Sequence, residues 1–317
     1  MIGINDIREH IAHFELDKIS IAEKCFEKNE DFLTWFITKK CNFRCRYCLS
    51  YGSEPERNFD LKTIKNSFDR GDKKWIILFT GGEPLLKLNI IEIFETLTEK
   101  HDILINTNLG TNNVEQIANR LDPKKVLNIN VGCHVVERER TDKNFSSFVK
   151  NINLLQDKNF LIFVTYVFHP DLIGRVDKDF EFFKTNGIKK ISLKPMFGVY
   201  NDKTYPDAYN EIELEYLRKY YDPELDLGEG AKLAVFKNTR CLAGQRTFFI
   251  DENGFAKRCE NLREPYGNFF DDTFIVDKTP KICTADTSPC PFQCIFYAKK
   301  RPQSFWSFLH SKKQHEY

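Results

Sequence analysis

The chain alternates between short apolar runs and longer stretches in which apolar residues recur at helical spacing. Asp31-Phe-Leu-Thr-Trp-Phe-Ile-Thr38 reads as a buried strand because it is dense in β-branched and aromatic side chains. Strand-like segments follow at Trp75–Phe79, Ile103–Ile105, Val126–Val131, Leu161–Val167 and Lys190–Lys194. Between them, Ile90–Lys100, Phe145–Gln156 and Lys178–Thr185 carry the spacing of amphipathic helices. Six strands separated by helices predict right-handed βα units and a parallel sheet, hence an α/β fold. Residues 3–30, ahead of the first strand, look helical and polar.

The alternation changes near residue 200. Asn201–Asp207 is polar, Ala208–Tyr221 reads as one helix, and Asp222–Gly230 is a turn-rich segment that marks a domain boundary. Beyond it, Thr247–Ile250 and Phe255–Cys259 flank Asp251-Glu-Asn-Gly254, where Asn-Gly predicts a tight hairpin. The expected organisation is a helical segment at 1–30, a main domain at 31–200, a linker with a helix at 201–235, a small cysteine-rich domain at 236–300 and a tail at 301–317.

Composition narrows the chemistry. With 47 basic and 46 acidic residues, the net charge of +1 gives no reason to expect a nucleic acid, an acidic substrate or a membrane surface as partner. The first residues show no cationic start followed by an apolar run, and no apolar stretch is long enough to span a bilayer, so a cytoplasmic protein is expected. Ten cysteines without an export signal then point to metal binding or catalysis rather than to disulfides.

Cys41-Asn-Phe-Arg-Cys45-Arg-Tyr-Cys48 directly follows the first strand, so one tight loop carries three thiols. Three thiolates leave one iron of a cubane open, whereas four would close it; the alternative for a lone motif of this spacing is a zinc knuckle. The spacing resembles the radical S-adenosylmethionine (SAM) superfamily, and other elements agree. Gly81-Gly-Glu83-Pro84 follows the second strand as the family's GGEP element does, and Asn106-Thr-Asn108 follows the third strand much as its TNG element does, with Leu109 before Gly110. Tyr47 fills the aromatic slot before the third cysteine. The resemblance implies a partial (β/α)6 barrel and a 4Fe–4S cluster on Cys41, Cys45 and Cys48. It also implies SAM chelated to the open iron, Gly81, Gly82, Glu83 and Pro84 at the SAM amino group, and Tyr47 beside the adenine. In that family the cluster takes an electron from a donor such as flavodoxin or ferredoxin and cleaves SAM to a 5′-deoxyadenosyl radical.

Strand parity separates two faces. Leu127, Ile129 and Val131 suit a helix layer, which leaves Asn128 and Asn130 pointing inward; Ser192, Lys194 and Met196 form a similar set, and Thr165 lies on the fifth strand. By the resemblance, inward polar residues contact SAM or the substrate, with Asn130 the preferred candidate beside Asn106, Asn108 and Lys194. His134 is a candidate proton donor or substrate ligand and Cys133 a candidate hydrogen-atom donor, each set against a plain structural role.

Cys241, the hairpin and Cys259, five residues past Gly254, resemble the first half of the SPASM and twitch extensions. This resemblance implies one auxiliary 4Fe–4S cluster on Cys241, Cys259, Cys290 and Cys294, with Cys283 as the alternative to Cys290; zinc is the competing metal. Cys25 stands apart, and the aromatic tail Arg301–His310 is expected to pack on the main domain. The expected activity is oxidation or rearrangement of a small polar metabolite such as a sugar, aminocyclitol or nucleotide-linked intermediate. The runner-up is maturation of a ribosomally made peptide or protein, against which the residues before the first strand are too few for a leader-binding domain. A non-catalytic iron–sulfur carrier is the third reading, and it needs neither an open iron nor GGEP.

Overall fold

A computed structural model describes residues 30–48, 52, 55–142, 145–221, 238 and 240–285. The helical reading of residues 3–30, Cys25, the segment at 222–230, Cys290, Cys294 and the tail at 301–317 lie outside the described residues. The first elements in chain order are β1 (Glu30–Thr38), α1 (Leu61–Phe68), β2 (Lys74–Gly81), α2 (Ile90–Thr98), β3 (Asp102–Thr107), α3 (Val114–Arg120) and β4 (Val126–Gly132). There follow α4 (Val135–Thr141), α5 (Ser146–Asp157), β5 (Ile162–Phe168), α6 (Val176–Thr185), β6 (Ile191–Pro195), β7 (Gly198–Tyr200), β8 (Lys203–Tyr205) and α7 (Glu211–Tyr220). The last are β9 (Arg240–Cys241), β10 (Thr247–Ile250), β11 (Phe255–Cys259), β12 (Leu262–Asn268) and β13 (Lys281–Ile282). The described residues fall into two compact units, one built from 30–35, 57–77, 238 and 240–285 and the other from 36–48, 52, 55–56, 78–142 and 145–221, and both β1 and β2 give residues to each.

In the second unit the strands run in the order β1-β2-β3-β4-β5-β6, with β3, β4, β5 and β6 paired in parallel. Parallel strands covered on both faces need continuous apolar runs, and Leu78 and Phe79 of β2, Ile103–Ile105 of β3 and Val131 of β4 are completely buried. The register sets Asn106 beside Asn130, Gly132 beside Thr165, Thr165 beside Ser192 and Val167 beside Lys194. The inward polar residues therefore share one face of four strands.

Two expected elements differ in detail. The stretch at 201–207 holds the turn and second strand of a hairpin of β7 and β8, turned by Asn201 and Asp202 at φ of 48° and 58°, a region these two residue types tolerate. Helix α7 starts at Glu211 rather than Ala208 because Asn210 caps it: the Glu213 amide donates to Asn210 Oδ1 at 3.0 Å and the Asn210 amide to Glu213 Oε2 at 2.7 Å.

In the first unit the expected hairpin of β10 and β11 forms, and β10 also lies parallel to β1, with Phe32 opposite Thr247 and Trp35 opposite Ile250. Trp35, Phe68, Trp75, Phe248, Phe269 and Phe270 pack ring against ring beneath it. The parallel pairing is pinned at its edge by Asp31, only 2% exposed, which accepts from Arg246 Nε at 3.0 Å and from Lys73. Removing one partner of a buried ion pair leaves the other charges uncompensated. Asp31→Asn is accordingly expected to lower the unfolding free energy by about 1 kcal/mol, since Lys73 and Arg246 remain partly solvated, read from urea unfolding; a change within error would deny the pair its role in joining the C-terminal strands to β1.

Candidate functional site

The three cysteines of the loop after β1 sit in the second unit, with Cys41 and Cys45 half-buried and Cys48 exposed. Phe43 N–H donates to Cys41 Sγ at 3.4 Å, Asn108 Nδ2 lies 3.9 Å from the same sulfur, and a turn closes from the Cys48 amide to the Cys45 carbonyl at 3.0 Å. Burial raises the Cys41 thiol and pushes Cys45 up to about 12, and in each the neighbouring cysteines add to the rise. Cys41 and Cys45, half-buried and raised by burial, hold their protons until a cation offsets the charge. Among the described residues, no three His, Cys, Asp or Glu side chains are already drawn into the arrangement of a metal-holding group. The donor chemistry fits an iron–sulfur cluster nonetheless: three soft sulfur ligands on one loop, with Cys41 already oriented by N–H donors.

Gly81 and Gly82 seat that loop. The Gly82 amide donates to Thr38 O and the Glu83 amide to Lys40 O, each at 2.7 Å. A Cβ on Gly81 would lie 2.3 Å from Thr38 O, and one on Gly82 would lie 2.3 Å from Lys40 O, so only glycine lets the two backbones meet. Glu83 is fully buried. Its carboxylate accepts from Leu85 N at 2.9 Å, from Thr107 Oγ1 at 2.6 Å and from Asn108 N at 2.6 Å. The three donors fix the carboxylate's orientation, and the backbone amides of Gly82 and Glu83 lie against the start of the cysteine loop. Asn108 continues the connection, giving Nδ2 to Asn42 Oδ1 at 2.8 Å, while Asn42 Nδ2 donates to Gly110 O at 2.9 Å.

The residues at the end of β4 close the site from the other side. His134 stands at φ 46° with its imidazole over Gly132, where a Cβ would lie 2.1 Å from Nε2, and its Nδ1 is 2.9 Å from the Tyr47 hydroxyl. Burial, with the Arg138 cation second, pushes His134 down to about 4, so its imidazole is neutral. Tyr47 also lies near His169, at 6.2 Å between ring centres. Cys133 is wholly buried, and burial pushes its thiol up to about 12, the environment of an inert side chain rather than of a reactive one.

Arg138, which sequence reading passed over as one charge in the run Glu137-Arg-Glu-Arg140, is 2% exposed. Its guanidinium donates to Cys133 O at 3.0 Å and to Asn108 O, and lies 4.0 Å from the Phe148 ring and 5.2 Å from that of Phe43. Nothing in the local pattern distinguishes it from a solvated arginine. On the inward face, Thr165 donates to Asn130 Oδ1 at 2.8 Å, Asn106 Nδ2 lies 3.5 Å from Thr80 Oγ1, and Lys194 is 3% exposed with its ammonium 5.2 Å from the Tyr221 ring. Asn128 is buried with an amide oxygen that finds no partner among the described residues.

Cys241, Cys259 and Cys283 belong to the first unit. Cys241 lies opposite Lys281 in the β9–β13 pair, two residues from Cys283, and both thiols are buried. Burial raises Cys259, with the charges of Cys241 and Cys283 adding to the rise, so the three lie within electrostatic reach of one another.

Two outcomes follow. Glu83→Ala strands three buried donors and is expected to cost about 3 kcal/mol in chemical denaturation, whereas an unchanged midpoint would remove the brace. Because the folded His134 stays neutral to about 4 while the unfolded chain gains a proton below roughly 6.5, its contribution is intact above that pH and is lost as pH falls toward 4. His134→Gln should thus flatten the fall in stability between pH 6.5 and 4 relative to wild type; parallel curves would contradict a neutral buried imidazole.

Comparison with known proteins places this geometry. Residues 35–183 match the profile described as the Radical SAM superfamily. GTP 3',8-cyclase of Haemophilus ducreyi is 35% identical over 94 residues, 26% of this chain and 27% of the relative, and that of Aliarcobacter butzleri is 31% identical over 128 residues, 37% and 39% respectively. These matches span well under half of either cyclase. An uncharacterised protein of Methanocaldococcus jannaschii is 30% identical over 180 residues, half of this chain and 61% of its own length. Among solved structures, anSMEcpe with bound AdoMet superposes with a TM-score of 0.52 at 17% identity over 77% of this chain and 79% of that one. Streptococcus suis SuiB bound to S-adenosylmethionine gives 0.54 at 15% identity over 80% and 67%. At such identities the likeness is one of fold: an α/β unit with a largely parallel sheet, matching the partial barrel, followed by antiparallel C-terminal strands. The cysteine loop, Gly81–Pro84 and Asn106–Asn108 all lie within the stretch that matches the Radical SAM superfamily.

Proposed function

We propose that the chain is a radical SAM oxidoreductase acting on a small polar metabolite. In this reading Cys41, Cys45 and Cys48 hold the SAM-binding 4Fe–4S cluster, and Cys241, Cys259 and Cys283 hold an auxiliary one together with a fourth ligand. The observation that carries it is the seating of the cysteine loop on Gly81, Gly82 and Asn108, which holds a segment bearing three thiols against the ends of the second and third strands. When bound, the cluster and SAM supply reductive SAM cleavage and hydrogen-atom abstraction from the substrate.

The protein's own residues position and exclude. Glu83 fixes the end of β2 against that of β3, so the backbone of Gly81–Pro84 stays in place for the SAM amino group. The Tyr47 hydroxyl, held on the neutral His134, keeps its ring at one wall of the site. Asn130 with Thr165, Asn106 and the buried Lys194 offer amides, a hydroxyl and one cation to polar or anionic groups of SAM and substrate. The small-molecule reading draws support from the GTP 3',8-cyclases, whose names give a nucleotide substrate. An electron donor such as flavodoxin or ferredoxin completes the scheme.

Anaerobic reconstitution with iron and sulfide, then dithionite and SAM, should yield 5′-deoxyadenosine by mass spectrometry from wild type and none from Cys45→Ala. Wild type should carry about eight irons per chain, and Cys259→Ala about four, as two cubanes require. A fully loaded wild type that cleaves no SAM would turn the reading toward an electron carrier; a modified peptide as the product would turn it toward peptide maturation.

A further inference from the structure

Arg258 sits on β11 immediately before Cys259 and is only 3% exposed. Its Nε donates to Ala243 O at 3.0 Å and its Nη2 to Ile282 O at 3.0 Å. Ala243 lies two residues after Cys241, and its amide donates to Cys241 Sγ at 3.5 Å; Ile282 directly precedes Cys283. One side chain thus fastens the segments of three cysteines that come from separate parts of the sequence. Among the described residues the guanidinium has main-chain carbonyls as hydrogen-bond partners and no carboxylate.

A buried cation without an anion is costly, and carbonyl dipoles offset it only in part. The carbonyls that it holds adjoin cysteines, Ala243 two residues after Cys241 and Ile282 directly before Cys283, and cysteines become anionic as thiolates on a metal centre. Arginine suits the place because its fork reaches two carbonyls at once and keeps its charge. We propose that Arg258 is the positioning residue and fixed counter-charge of the auxiliary cysteine site, an inference that rests on the auxiliary centre proposed above. Its positive charge favours the more negative, reduced state of a thiolate-bound cluster, so removing it makes reduction harder.

The test is an EPR-monitored redox titration of the reconstituted full-length protein, with the auxiliary signal identified in Cys45→Ala and the Cys41–Cys48 signal as internal reference. At the potential where the wild-type auxiliary centre is half reduced, Arg258→Gln should show about a tenfold lower ratio of reduced to oxidised centre, equivalent to 59 mV for a one-electron couple. Arg258→Lys, which keeps the charge, should stay within about twofold of wild type, and the reference signal should not move. An Arg258→Gln centre that titrates with wild type overturns the proposal, as does an Arg258→Lys centre displaced as far as Gln. If Arg258→Gln takes up no second cluster, the lysine variant decides by the same criterion. A fully loaded wild type with a single signal removes the auxiliary centre itself, and the inference falls with it; two wild-type signals beside an insensitive Gln variant refute Arg258 alone.

Discussion

Everything at the cysteine loop depends on one buried carboxylate. Glu83 has no contact with water and gathers donors from Leu85, Thr107 and Asn108, so the ends of β2 and β3 cannot separate without stranding it. A carboxylate in that setting is affordable only while each donor stays in place. The brace then reaches outward in two directions. Its own amide and that of Gly82 grip Lys40 and Thr38, and Asn108 grips Asn42 and lies against the sulfur of Cys41. A loop that would otherwise wander is fixed at both ends of its first half.

The same device recurs with the sign reversed. Arg138 threads the carbonyls that end β3 and β4 and stacks against Phe43 within the cysteine loop, while Arg258 threads the carbonyls beside Cys241 and Cys283. In each case a long side chain with several fixed donors satisfies carbonyls that a loop cannot pair for itself. Arg138 also brings its positive charge to bear on Cys133. The order of the loops that carry the sulfurs therefore rests on these two residues.

Much of this was legible in the chain itself. The six βα strands follow from dense apolar runs, and the inward set Asn130, Thr165 and Lys194 from period-two alternation, because both depend on short-range pattern. The glycines at 81 and 82 were legible as a motif, but their reason, a backbone approach that leaves no room for a Cβ, appears only in three dimensions. Parallel pairing of β10 with β1 joins residues more than two hundred positions apart, and no local signal announces such a contact. Nothing in the sequence marks Arg138 and Arg258 as buried for the same reason: burial is a property of the fold around them. The three protein donors on the Glu83 carboxylate, from Leu85, Thr107 and Asn108, are likewise invisible to sequence spacing.

The central claim is that the protein builds the seat of the cysteine loop before any metal arrives. Amide hydrogen exchange on the metal-free protein tests it directly, at Gly82, Glu83 and Asn108, whose N–H groups point to Thr38 O, Lys40 O and Glu83 Oε2. The account predicts exchange as slow as that of the core amides of β3 and β4, with little further slowing when iron and sulfide are added. Exchange at the rate of an open loop, slowed only by metal, would contradict it and make the cluster the organiser of its own site.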